Sequence, residues 1–152
     1  PLVHFTSSPP QIKQMLDIYM GADSGDIPAR RSRTRVARVA YVAESDEQAV
    51  MEMENAVLGS PVTSGRLDHY LPENGTRDDL TMTNLVKWDG AYIGSPDTVY
   101  EGLKNLYDEV GGFGTLLLIS GRDWGTWEQR MRSWTLFMEE VAPRLAKLDA
   151  DR

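Results

Sequence analysis

Ser120, Arg122, Asp123 and Trp124 put a hydroxyl, a guanidinium, a carboxylate and an indole within one short stretch of this sequence. A guanidinium can hold an anionic group through paired, charge-assisted hydrogen bonds. An indole offers a face on which a planar ring can stack. The same residues also read as an Arg122–Asp123 surface loop, with Trp124 packed under the helix that follows. Ser7 and Ser8 offer hydroxyls to a small ligand, or simply cap the helix that begins near Pro9 and Pro10. His69, between Asp68 and Tyr70, is either a proton shuttle or a solvated loop histidine. His4 sits in an apolar run and has no second ligand at metal-binding spacing, so it reads as packed or lumen-facing, and no metal site is expected. The absence of cysteine excludes disulfides and thiolate metal sites.

Basic residues cluster at Arg30, Arg31, Arg33, Arg35 and Arg38. Such a run can bind phosphate or nucleic acid. No aromatic residues interleave it and the chain carries a formal net charge of −7, so a solvated loop paired with carboxylates is the better reading. Arg38 differs, because it interrupts a strand apolar on both faces; a buried guanidinium there calls for a carboxylate partner. The glycines of GGFGT do not form GxGxxG and do not precede a helix, so no dinucleotide site follows.

These groups must be positioned by alternating strands and helices. Leu2 to Phe5 reads as a strand end, Gln11 to Met20 as a helix with Ile12, Met15, Leu16 and Tyr19 on one face, and Gly21 to Arg33 as a loop. Arg35 to Ala43 is a strand covered on both sides, as in parallel sheets. Ser45 with Gln48 forms a capping box for a helix whose stripe is Ala49, Val50, Met53 and Val57. Gly59 to Gly90 breaks the rhythm with six prolines and glycines and is expected to be irregular. Ser95-Pro96 opens a helix with the stripe Val99, Leu103, Leu106 and Val110, and Gly111-Gly112 closes it. Thr115 to Ile119 is a continuous apolar strand. Thr126 with Gln129 then caps a long amphipathic helix striped by Trp127, Met131, Trp134, Met138, Val141, Leu145 and Leu148, which Pro143 kinks or ends.

The segments GSPDTVYEGL, GGFGTLLLISGRDW and RSWTLFMEEVAPRL resemble the closing segments of the bacterial luciferase-like flavin-dependent monooxygenases. The likeness runs from about Thr34 to Leu145 and is most specific in the last third. It implies an α/β fold, the C-terminal portion of a (β/α)8 TIM barrel. A whole barrel takes about 250 residues, so the 152 present would supply roughly the sixth to eighth strands as a single partial domain. It also implies chemistry: reduced FMN, or deazaflavin F420, activating oxygen to oxidise a small organic substrate. Ser7, Ser8, Ser120, Arg122, Asp123 and Trp124, at the C-terminal ends of strands, would then face the flavin. Gly59 to Gly90 would be the mobile active-site lid. The flavin phosphate site of the family lies largely on earlier strands.

The expected partners are accordingly a missing N-terminal barrel segment or further copies of this chain, with a flavin reductase as the source of reduced flavin. A sequence that opens on Pro1 is expected to be processed or cut from something longer. Nucleic acid and membrane are not expected partners: the charge is acidic, no apolar run approaches a membrane span, and a cytoplasmic location follows as the default. The alternative is a non-catalytic truncated-barrel subunit or flavin-binding accessory protein. A third class, the tautomerases with a free N-terminal proline as base, matches PLVHF but not the β-α-β pattern of the rest.

Overall fold

A computed structural model describes residues 1–22, 26–58, 67–88, 90–119 and 124–148. Its organising element is the strand Arg35–Val42 (β2), to which the other strands among the described residues pair in parallel. Leu2–Val3 (β1) pairs with Arg35 and Val36, Tyr92–Gly94 (β3) with Ala40 to Val42, and Thr115–Ile119 (β4) with Arg35 to Val39. β1 and β4 meet the same residues of β2 and so lie on opposite edges. β3 shares the edge of β1: successive amides point to opposite edges, and while the Arg35 N–H donates to Pro1, the Ala43 N–H, eight positions on, donates to Gly94. On the other edge β4 ends level with Val39, and the Val42 N–H finds the Ser133 hydroxyl at 2.8 Å.

Helices cover both faces of β2, as its doubly apolar sequence requires. The first core joins Val36 and Val42 to Val3, to Ile12 and Leu16 of Pro9–Gly21 (α1), and to residues of the helices that follow Ser95 and Thr126. A short helix, Ile27–Ser32 (α2), leads from α1 towards β2. The second core joins Val39, Tyr41 and Ala43 to Ala49 and Met53 of Asp46–Met53 (α3) and to Met82 and Leu85 of Met82–Lys87 (α4). Pro96–Glu109 (α5) presents Val99, Leu103 and Leu106 to the first core. Its end is set by Gly111 and Gly112, with φ of 81° and 90°, a region that non-glycine residues rarely enter. Trp127–Leu136 (α6) continues through a π-helical stretch, Phe137–Val141, into Ala142–Leu145 (α7). Pro143 has no N–H for the carbonyl four residues back, and the widened turn lies immediately before the short helix that contains it.

Several elements differ from the sequence reading. Part of the Gly21 to Arg33 loop is α2, begun by Asp26, whose carboxylate accepts from the Ala29 N–H, and by Pro28 in its first turn. The segment after Leu67 carries α4 and two 3-10 turns, Asp68–Tyr70 and Arg77–Asp79, with Leu80, Met82 and Leu85 buried. Ser45 caps α3 through the Gln48 N–H, but the Gln48 side chain donates to Glu52 instead of returning to the cap. The long C-terminal stripe splits: Val141 is buried, while Trp127 and Met138 are 58% and 63% exposed, and Phe137, outside the stripe, is buried in the first core.

Candidate functional site

The C-terminal ends of β1, β2 and β4 are where a parallel barrel would place chemistry. After β1 the chain turns at once: the Ser7 N–H donates to the His4 carbonyl, and the His4 ring hydrogen-bonds with the Thr6 hydroxyl at 2.8 Å and stacks, tilted, on Phe5. Ser8 begins α1, where its N–H donates to the Gln11 side chain at 2.9 Å and its carbonyl accepts from Ile12. Ser8 therefore serves the helix.

Arg38 holds this turn in place. Its side chain is fully buried in the middle of β2, and its Nη1 donates to the carbonyls of Phe5 at 2.8 Å and Ala37 at 3.3 Å. Nη2 donates to the Ser7 carbonyl at 2.6 Å. Main-chain oxygens thus do much of the work that the sequence reading assigned to a carboxylate. Tyr70, from the long insertion, packs against the second core. Burial pushes its phenol up to about 12, opposed by the positive charge of Arg38, so it stays a neutral hydroxyl. Phe5 and Trp124 border the same core. Ser120, Arg122 and Asp123 lie outside the described residues, as does the His69 side chain.

A second constellation was not foreseen. The Glu52 carboxylate accepts from the Tyr41 hydroxyl at 2.5 Å, from Gln48 at 3.0 Å, and from Arg132 Nη2 at 2.6 Å to each oxygen. Arg132 Nε lies 3.3 Å from Glu44, the first residue beyond Ala43 at the end of β2. Burial and the Glu52 charge raise the Tyr41 phenol well above its ordinary value. The spacing of Gln48 and Glu52 on α3 hints at the contact between them, but the joining of Tyr41 to Arg132 is purely tertiary. An open cleft of about 440 Å³, lined by Met51, Asn55, Thr126 and Gln129 among others, lies beside Glu52.

What the described residues could offer a flavin is limited. Trp124 can stack on a planar ring, and Thr6 and Ser7 carry hydroxyls near the strand ends. The Arg38 guanidinium, which reaches the same turn, donates to its carbonyls.

No model of a known protein family matches the chain. Individual proteins do. The chain is 30% identical over 124 residues to 4-hydroxyprotoasukamycin monooxygenase of Streptomyces nodosus subsp. asukaensis, a match covering 75% of this chain and 31% of that protein. It is 29% identical over 147 residues to 3,6-diketocamphane 1,6-monooxygenase of Pseudomonas putida, covering 88% of this chain and 38% of the relative. Among solved structures, the oxygenating constituent of Pseudomonas putida 3,6-diketocamphane monooxygenase, a type II Baeyer–Villiger monooxygenase in complex with FMN, superposes with a TM-score of 0.69 at 25% identity, over 91% of this chain and 41% of that one. A monooxygenase of Streptomyces bottropensis shares the fold at a TM-score of 0.67 and 20% identity. The chain thus spans well under half the length of these relatives. By this likeness it belongs to the luciferase-like flavin-dependent monooxygenases, of whose length it represents a part.

Proposed function

We propose that this chain supplies the last three strands of a monooxygenase barrel that uses reduced FMN and oxygen to oxidise a small organic substrate. The observation that carries this reading is strand order. β1, β2 and β4 lie side by side, parallel and in sequence order, with helices in each crossover. That is what successive units of a (β/α)8 barrel require. β3 is an accessory strand on the edge of β1, beyond its end. F420 in place of FMN fits the described residues equally well. The insertion from Gly59 to Gly90 would act as a lid over the strand ends, with Tyr70 seated against the core that Phe5 and Trp124 border.

The test is to co-express the chain with the portion of 3,6-diketocamphane 1,6-monooxygenase that it does not match, then supply chemically reduced FMN and labelled oxygen with a panel of aldehydes, alkanes and terpenes. Incorporation of label into a product supports the reading. FMN binding without any turnover supports the second reading, a flavin-binding accessory subunit. That reading is favoured by the structural employment of Ser8 and Arg38.

A further inference from the structure

Arg30, Arg31, Arg33 and Arg35 crowd the end of α2 and the start of β2. The sequence pattern predicts a loop paired with carboxylates, and the structure departs from it. Arg30 closes the end of α1, its Nη1 donating to the carbonyls of Tyr19 and Met20 at 3.3 and 3.0 Å. Among the described residues no ion pair joins Arg31, Arg33 or Arg35 to a carboxylate. The carboxylate of Asp26, on the same short helix, serves the Ala29 N–H at its other end.

The turn that carries these arginines is fastened from below. Thr34 is fully buried, and its N–H and hydroxyl both donate to the Arg31 carbonyl, at 2.9 and 2.7 Å. The Thr34 hydroxyl and carbonyl accept in turn from the N–H groups of Gly114 and Thr115, at 3.2 and 3.0 Å, so the turn is tied to the start of β4. The Arg31 side chain is half-buried against the turn that ends α5: a Cβ on Gly112 would lie 3.0 Å from its Cδ and 3.1 Å from the Tyr107 hydroxyl. The Nε of Arg31 is buried and has no hydrogen-bond partner. A buried donor left in that state is rare and calls for an acceptor. Arg35 is exposed, and its Nη1 donates to the Arg33 carbonyl at 3.2 Å, which folds its guanidinium back onto the same turn.

We infer that the turn between α2 and β2 is an oxyanion site, and that its ligand is a phosphate group held by Arg31 together with Arg33 and Arg35. A guanidinium presents its N–H groups as a planar fork that matches two phosphate oxygens. A phosphate ester carries close to two negative charges at neutral pH, which suits a group of guanidiniums without carboxylate partners better than a single carboxylate would. It also gives the buried Arg31 Nε the acceptor that the protein does not provide. A long polyanion is disfavoured: no aromatic residues interleave the run, and the rest of the chain is acidic. A single phosphate escapes that field, which salt screens beyond about 10 Å. The site lies at the N-terminal end of β2, opposite the strand ends that would face a flavin, so it does not depend on the barrel reading.

The experiment titrates the isotopically labelled chain with inorganic phosphate at constant ionic strength. Nuclear magnetic resonance follows the arginine Nε–H groups and the amides of Thr34 and Gly112. The expected result is a saturable shift of the Arg31 Nε–H in the millimolar range, with no saturation when acetate replaces phosphate. Glycerol phosphate, titrated in parallel, separates the two sources of the ligand: tighter binding than inorganic phosphate assigns the site to a phosphomonoester, and weaker binding assigns it to the free ion. Arg31→Lys keeps the charge but removes the fork, and should weaken binding about tenfold. Arg33→Gln and Arg35→Gln, both at exposed positions, should each weaken it about threefold or more, with the far-ultraviolet circular dichroism unchanged. That pair keeps the test decisive even if Arg31→Lys disturbs the fold. Equal responses to phosphate and acetate overturn the inference. So does saturable phosphate binding that survives Arg33→Gln and Arg35→Gln combined.

Discussion

Glu52 joins three elements through one carboxylate. Its side chain is 7% exposed, and it accepts from Tyr41 of β2, from Gln48 of its own helix, and through both oxygens from Arg132 of α6. Burial alone would raise its pKa, but the hydrogen bonds from Tyr41, Gln48 and Arg132, with the Arg132 charge, outweigh burial and hold it below the usual carboxylate value. The folded value lies under the unfolded one, so the stabilisation is complete above the ordinary carboxylate pKa and is lost as pH falls through the depressed value. Glu52→Gln should cost roughly 2–3 kcal/mol at neutral pH, since it weakens hydrogen bonds made to a charged group. Urea titrations of parent and variant at pH 7 and under acid conditions check this: the gap should close towards acid, and a gap independent of pH would show that the charge is not what matters. Tyr41→Phe should cost about 1.5 kcal/mol or more by leaving a buried acceptor short of a donor. Neither effect could be read from sequence, because Tyr41 alternates as an ordinary core residue and Glu52 sits among the acidic residues off the apolar stripe of its helix. Arg38 was legible as a residue needing partners. That backbone carbonyls in the turn after β1 would provide them was not.

The elements themselves were largely legible where local chemistry decides them. β2 falls where a strand apolar on both faces is expected, and β4 where a continuous apolar run places it. Thr126 and Gln129 form the expected reciprocal cap, with the Thr126 N–H donating to Gln129 at 2.7 Å and the Gln129 N–H to Thr126 at 3.2 Å. What failed were elements decided by tertiary contact. β3 has three residues and exists because it completes the end of β2. The spacing of the α6 stripe predicts a single face, whereas Trp127, Met131, Trp134 and Met138 are exposed and Val141, at the end of the π-helical stretch Phe137–Val141, is buried. One glycine carries a constraint that a turn-based reading misses. A Cβ on Gly114 would lie 2.2 Å from the Ser32 carbonyl oxygen and 2.5 Å from its Cα, and backbone cannot step aside as a side chain can. Gly114→Ala should force β4 away from the turn that precedes β2, at a cost of about 1–3 kcal/mol or more. Thermal unfolding measures the loss, and the Thr115 amide, which donates to Thr34 at 3.0 Å, should exchange faster. An alanine variant as stable as the parent would mean that the two segments do not approach this closely.

For the whole molecule, the arrangement of charge at the strand ends makes a prediction about flavin. The relative of known structure holds FMN, whose phosphate needs donors and positive charge. Near the end of β1 the described residues offer the hydroxyls of Thr6 and Ser7, while the guanidinium beside them is engaged with the Phe5 and Ser7 carbonyls. The net charge of −7 adds a field that opposes an anion. If the chain alone meets flavin only through the ring, by stacking on Trp124, the phosphate contributes nothing. Riboflavin, which lacks the phosphate, should then bind as well as FMN or better. In the completed barrel each charge-assisted bond to phosphate is worth about 1.5–3 kcal/mol, so two of them would favour FMN over riboflavin by a hundredfold or more. Equilibrium dialysis of both ligands against the chain, and against the chain co-expressed with the unmatched part of its relative, measures the two ratios. A ratio near unity for the chain that rises to a hundredfold in the complex places phosphate recognition outside these residues. Strong preference for FMN by the chain alone would place a phosphate site within it, at residues other than Arg38.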